Sequence, residues 1–212
     1  MTFLAPALPA PLHHLDSPRE VVRQFTPNWF AATMGTGVLA IVLAQAPGLK
    51  GVGQTLWLLN IGLFVLFTAL YAARWILFPR EARRVFDHPV MSMFFGCVPM
   101  GLATIVNGFV LYGPALLGPS AIDIAAGLWR IDALLAAACG LIVPLLMFTR
   151  QDHGLDQMTA LWLLPVVPGE VTAASGGLLI PHLADAGHKL DVLAASYALW
   201  AISAPLALGV LV

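Results

Sequence analysis

The sequence predicts an all-α integral membrane protein with six transmembrane helices paired as three hairpins, and three observations carry that prediction. The 212 residues are 59% hydrophobic and only 10% charged, with a mean hydropathy of +0.87. A soluble domain carries about 25% charged residues, so this chain cannot coat a globular surface. Apolar stretches near the roughly 20 residues that a helix needs to cross a bilayer recur along its length. The connections between them are short, so consecutive spans lie antiparallel.

Residues 1–26 read as a cytoplasmic tail. Prolines break its apolar run and no basic stretch precedes that run, so a cleaved signal peptide is not expected. Asp16-Ser17-Pro18-Arg19-Glu20 has the cap, first-turn proline and acid of a helix start. The membrane domain occupies 27–212, with spans at about 29–46, 54–78, 89–111, 121–149, 158–180 and 191–212. Trp29 anchors the first at the interface. The fourth exceeds the bilayer thickness, so it tilts or emerges at one end. The sixth ends as Ala207-Leu208-Gly209-Val210-Leu211-Val212 with neither a basic nor an aromatic anchor. A C-terminally truncated, incomplete domain is the expectation.

Spans one, three and five differ from the others. Asp87–Asn107 is interrupted by Gly96, Pro99 and Gly101; Met34-Gly35-Thr36-Gly37 and Leu164–Gly177 share that character. Proline removes a backbone hydrogen bond and glycine adds an entropic cost. In a membrane such breakers survive where neighbouring helices or a water-lined cavity satisfy the freed carbonyls. Kinks are expected near Gly35, Pro99 and Pro165–Pro168.

Charge placement orients the chain. Arg19, Arg23, Arg74, Arg80, Arg83, Arg84 and Arg150 gather on one side, while Lys50 and Lys189 stand on the other and Arg130 lies within a span. The positive-inside rule therefore puts the N-terminus in the cytoplasm. Metal and haem chemistry find no ligands: all six histidines (His13, His14, His88, His153, His182, His188) fall in tails or loops. Cys97 and Cys139 sit in apolar segments as small hydrophobes. Neither HExxH nor GxSxG occurs. An enzyme is disfavoured, and no cofactor, metal or nucleic acid is expected.

Several residues nonetheless stand out. At 100° per residue, Pro165, Pro168, Gly169, Thr172, Ser175 and Gly176 share one stripe of the fifth span. Such a stripe serves either close helix packing or a pore wall of bent backbone and hydroxyls; Gly96, Pro99 and Ala103 of span three and Gly35 and Thr36 of span one pose the same choice. Glu170 lies about 140° from the stripe. An acid inside a membrane is costly, so it is read as a neutral side chain bonded to a neighbouring helix or as a proton-coupling group. Arg130 and Asp132 do not face each other on a helix. Arg130 either snorkels outward or makes an outer vestibule electropositive. Asp87-His88-Pro89 opens the third span with a cap, and His88 is a further vestibule candidate. Arg80, Arg83 and Arg84 are placed to meet lipid headgroups or to steer anions.

His88-Pro89, Ser92, Phe94, Gly96, Pro99, Met100 and Gly101 follow the pattern HP-x-x-S-x-F-x-G-x-x-P-M-G. Pro27-Asn28-Trp29-Phe30 with Met34-Gly35-Thr36-Gly37, and Trp162-Leu163-Leu164-Pro165 with Ala173-Ala174-Ser175-Gly176-Gly177, form two more blocks in order. Together they resemble the tellurite-resistance/dicarboxylate transporter family, which includes fungal sulfite efflux pumps, yeast malate permeases and the slow anion channels of plant guard cells. The wording is closest to the sulfite exporters. The resemblance implies the first part of a ten-helix, five-hairpin anion-channel fold, with odd-numbered helices around a central pore. It favours the pore reading of the small-residue stripes. It also implies a homotrimer in the cell membrane, small inorganic or organic anions as substrates, and lipid around it. The gating phenylalanine of the family lies on a ninth helix, beyond this chain. Sulfite efflux is the leading expectation. Transport of malate or another C4-dicarboxylate, chloride or nitrate conduction, and a non-transporting remnant are the alternatives.

Overall fold

The computed structural model describes residues 17–152 and 158–211. The tail before Ser17, His153–Gln157 of the fourth loop and Val212 lie outside the described residues. A short helix α1 (Pro18–Gln24) precedes the membrane domain. Ser17 stands at its N-cap but makes no side-chain capping bond, contrary to the expected cap. A single 3-10 turn (Pro27–Trp29) leads into α2 (Phe30–Gln45). The long α3 (Lys50–Leu77) returns, and α4 (Pro79–Arg83) with a 3-10 turn (Arg84–Asp87) forms the basic loop. A third 3-10 turn (Met93–Gly96) leads into α5 (Cys97–Leu111). Then come α6 (Gly113–Leu117), α7 (Ser120–Thr149), α8 (Pro168–Leu179) and α9 (Ala186–Leu211).

Among the described residues, five helical segments are long and apolar enough to cross a membrane: 27–45, 50–77, 93–111, 120–149 and 186–210. The expected fifth span, at 158–180, runs the length of α7, from Trp162 beside Met147 to His182 in a cavity with Asp123, but it is not one continuous helix. It is a 3-10 turn (Ala160–Leu163), turn residues 164–167, and the 12-residue α8. At 1.5 Å per residue α8 covers about 18 Å, short of the roughly 30 Å hydrocarbon core. The reason is local. Pro165 and Pro168 each lack a donor, and Pro168 occupies the first turn of α8, where a missing N–H costs nothing.

The same logic revises the expected kinks. Pro99 lies in the first turn of α5, so it starts a helix instead of bending one. Gly35 causes no break, since α2 runs unbroken from Phe30 to Gln45. Pro99 and Pro168 mark where helices begin inside the apolar layer, whereas Pro144 and Pro205 lie within α7 and α9.

The centre of the bundle is α5. It packs against α2, α3, α7 and α8, and α8 in turn packs against α7 and α9. Val106 and Val110 of α5 join Ala125 and Trp129 of α7 and Leu179 in one apolar cluster; Cys97 and Met100 join Phe30 and Phe67 in another. Polar pins cross these faces. Trp57 donates Nε1–H to the Ile105 carbonyl at 3.2 Å, and Tyr112 donates its hydroxyl to the Ala40 carbonyl at 2.5 Å. Inside an apolar layer water is not available to the freed group, so a broken pin leaves it unsatisfied.

Candidate functional site

The small-residue stripe of the fifth span falls on α8 and the turn before it. Pro165, Pro168, Gly169, Thr172, Ser175 and Gly176 are all buried. A Cβ on Gly169 would lie 2.9 Å from Ser203 Cβ and 3.1 Å from the Leu199 carbonyl oxygen of α9. A Cβ on Gly176 would overlap Ser196 Oγ and lie 3.0 Å from the Trp129 ring. Thr172 donates its hydroxyl to Asp132 Oδ2 at 2.8 Å, and its carbonyl accepts Trp129 Nε1–H at 2.9 Å. The Ser175 hydroxyl is donated back to the Val171 carbonyl at 3.1 Å. These six residues are thus the seam where α8 meets α7 and α9.

The span-three candidates are buried as well. A Cβ on Gly96 would overlap the Leu164 carbonyl oxygen, so only glycine lets the two interrupted segments touch. Ala103 is fully buried. Pro99 lines an apolar cleft between α3 and α7. On span one Gly35 is exposed, with no atom within 4 Å of where its Cβ would lie, and Thr36 is half-buried.

The open face of α8 is a different set of residues. Glu170, Ala173, Ala174 and Gly177 line a groove of about 510 Å³ shared with Leu193, Ser196, Tyr197 and Trp200 of α9. Glu170 is half-buried there. Its side chain shows no hydrogen bond or ion pair among the described residues, so the expected bond to a neighbouring helix is not formed within them.

At the other end of α7, Arg130 is exposed. It shares a cavity of about 500 Å³ with Asp123, His182, Asp185 and His188. Asp185 Oδ2 accepts the His188 backbone N–H at 2.8 Å, which holds the start of α9. His88 caps the turn after it: its Nδ1 accepts the N–H groups of Val90 and Met91, each at 3.2 Å. The imidazole itself thus provides the capping expected of the Asp87–Pro89 start. Ser92 of the same segment bonds Gln151 Nε2 at 3.0 Å, and Gln151 also donates to the Phe86 carbonyl at 2.7 Å.

The Asp132–Thr172 pair is the feature that sequence reasoning missed. The signal was present in the register of α7: Ala125, Trp129, Asp132, Ala136, Cys139 and Val143 recur at three- and four-residue spacing, and all are buried. Asp132 sits in the middle of that apolar seam, fully buried, and its Oδ1 has no hydrogen-bond partner among the described residues. No group of three or more metal-ligating side chains occurs among the described residues.

The arrangement is one of packed, interrupted helices with a buried seam and two unfilled small-residue faces. The sulfite efflux pump of Trichophyton rubrum is 39% identical over 195 residues, covering 90% of this chain and 52% of that protein. An uncharacterized transporter of Methanocaldococcus jannaschii is 31% identical, covering 86% of this chain and 52% of that protein. The malic acid transport protein of Schizosaccharomyces pombe is 22% identical, covering 74% of this chain and 36% of that protein. The chain thus spans about half the length of the sulfite pump it matches. No solved structure matches it significantly. Residues 24–212 match the family SLAC1, voltage-dependent anion channel, and the chain belongs to that family.

Proposed function

We propose that the whole protein moves small anions across the cell membrane and that its substrate is sulfite, carried outward. The observation that carries this reading is the 39% identity to a sulfite efflux pump across 90% of the chain. The N-terminus is cytoplasmic and the complete assembly is a homotrimer in lipid; the basic residues of one face support the first point and the family resemblance the second.

The path runs along the faces that the bundle leaves open. On α2 this is the Gly35 side, and on α8 it is Glu170, Ala174 and Gly177, where no neighbouring helix fills the space. The buried stripe and Gly96 act one layer behind, holding α8 against α5 and α7. Arg130 and His88 serve the two mouths of the path, Arg130 from its cavity with His182 and His188. A wall without fixed positive charge suits weak, fast passage, because conduction needs an anion to leave as readily as it enters.

A second reading, transport of a C4-dicarboxylate, is favoured by the match to a malic acid transport protein, at 22% identity. Proteoliposomes holding the full-length protein separate the two. Sulfite efflux that malate does not compete for supports the first reading. Malate flux without sulfite flux replaces it with the second, and cation currents overturn both.

A further inference from the structure

The cleft between α3 and α7 has no part in the path above. It encloses about 380 Å³, within the range of small-molecule pockets. Its walls include Trp75, Phe86, Phe95, Leu135, Ala138 and Ile142. The helix flanks around it are those of a lipid-facing surface: Ile76 is 78% exposed and Leu134 is 74% exposed. An apolar cavity of this kind does not hold water, and left empty its walls forfeit dispersion contacts. One turn of a helix, 10–12 Å across with its side chains and 5.4 Å in pitch, exceeds that volume, whereas an extended hydrocarbon chain is slimmer.

One end of the cleft is marked by charge. Trp75 and Phe86 stand on either side of the basic loop, and Ile142 and Val143 lie towards the end of α7 at Thr149. At this end Arg80, Arg83, Arg84 and Arg150 are exposed. None of the four makes an ion pair among the described residues. Glu81 is engaged by Arg23 at 3.6 Å, which leaves Asp87 and Asp152, among the described residues of this end, to offset four arginines, a balance of +2.

We propose that this cleft is a lipid-binding site, taking one acyl chain of an anionic glycerophospholipid whose phosphate rests on Arg83 and Arg84. Guanidinium groups match phosphate oxygens in bidentate geometry, and the loop places them where the headgroup of a lipid in that leaflet lies. Burial of the chain fills the void, and the arginines select the negative headgroup over a zwitterionic one.

Native mass spectrometry of the full-length protein tests this without reference to transport. Mixed micelles of phosphatidylglycerol and phosphatidylcholine should leave one retained phosphatidylglycerol per chain. Arg83→Gln with Arg84→Gln should weaken retention by about fivefold per arginine. Ala138→Trp, at an exposed position on the cleft wall, should abolish it while the protein stays folded. A photo-crosslinking residue at position 135 should label the acyl chain. Equal retention of both lipids, retention untouched by Ala138→Trp, or crosslinking to a second copy of the chain would overturn the proposal.

Discussion

Thr172 reaches across the α7–α8 seam to Asp132, donating its hydroxyl to Oδ2 at 2.8 Å, while the other carboxyl oxygen is buried without a partner among the described residues. This is the sole side-chain donor that the described residues supply to a carboxyl fully hidden inside the membrane domain. Trp129 closes the same seam through the Thr172 carbonyl. The pair therefore fixes how α8 is rotated against α7, and with it which face of α8 stays open.

Thr172→Val should destabilise the protein by about 1–3 kcal/mol, the usual cost of leaving a buried polar group unsatisfied. Replacing both partners, Asp132→Leu with Thr172→Val, should recover part of that loss, because no polar atom then remains orphaned. Thermal unfolding in detergent, run as a double-mutant cycle, measures the coupling. Additive effects would show that the bond contributes nothing.

Gly96 and Gly176 should tolerate no side chain. A Cβ at either overlaps an existing atom, a backbone carbonyl oxygen in the first case and Ser196 Oγ in the second. Gly96→Leu and Gly176→Leu should each cost more than about 2 kcal/mol, as overpacking of a tight interior does. Cys139→Ala should cost little beyond the lost burial of one sulfur. Folded yield and Tm read the difference.

Labelling of single cysteines checks the orientation. Positions 83 and 150 are exposed at one end, and position 50 is exposed at the other, where position 189 is half-exposed. A membrane-impermeant thiol reagent applied from outside should modify 50 and 189 and miss 83 and 150. Labelling of position 83 would invert the topology.

Orientation also illustrates what a sequence can and cannot tell. Arg74 counts among the basic residues of the inner face, yet it is buried, donating Nη1–H to the Phe25 carbonyl at 2.6 Å and Nη2–H to the Glu81 carbonyl at 3.2 Å. Its charge was legible and its role as a clamp on α1 was not, because that partner lies 49 residues away. The breakers at Gly96, Pro99, Pro165 and Pro168 were legible as a pattern, and they do mark the interrupted segments. Their consequence was not legible: periodicity continues through a turn, so 158–180 reads as one helix although prolines make it three pieces. Helical register grouped Pro165, Pro168, Gly169, Thr172, Ser175 and Gly176, and all six are buried. It carries no information about what that group meets, since small residues suit a neighbouring helix and a pore equally.

Gly176 and Gly177, adjacent on α8, should separate folding from transport. Gly176 is buried against Ser196 and Trp129, while Gly177 is exposed on the open groove with nothing within 4 Å of an added Cβ. Gly177→Leu therefore has room and replaces a poor helix former with a good one. Its stability should stay within about 0.5 kcal/mol of the parent, the range of ordinary surface changes. If the open face lines the path, the added side chain narrows it, and sulfite flux through the full-length protein should fall by about tenfold or more, as a loss of pore width implies. Gly35→Leu, on the open side of α2, should behave the same way. Gly176→Leu should lose flux and Tm together, because the seam behind the path comes apart. Larger anions should suffer more than sulfite from the milder Gly177→Ala, since width and backbone polarity set selectivity where fixed positive charge is missing. Proteoliposome flux and thermal unfolding on the same preparations provide both readouts. Full flux in Gly177→Leu and Gly35→Leu would place the path elsewhere and assign both faces to lipid.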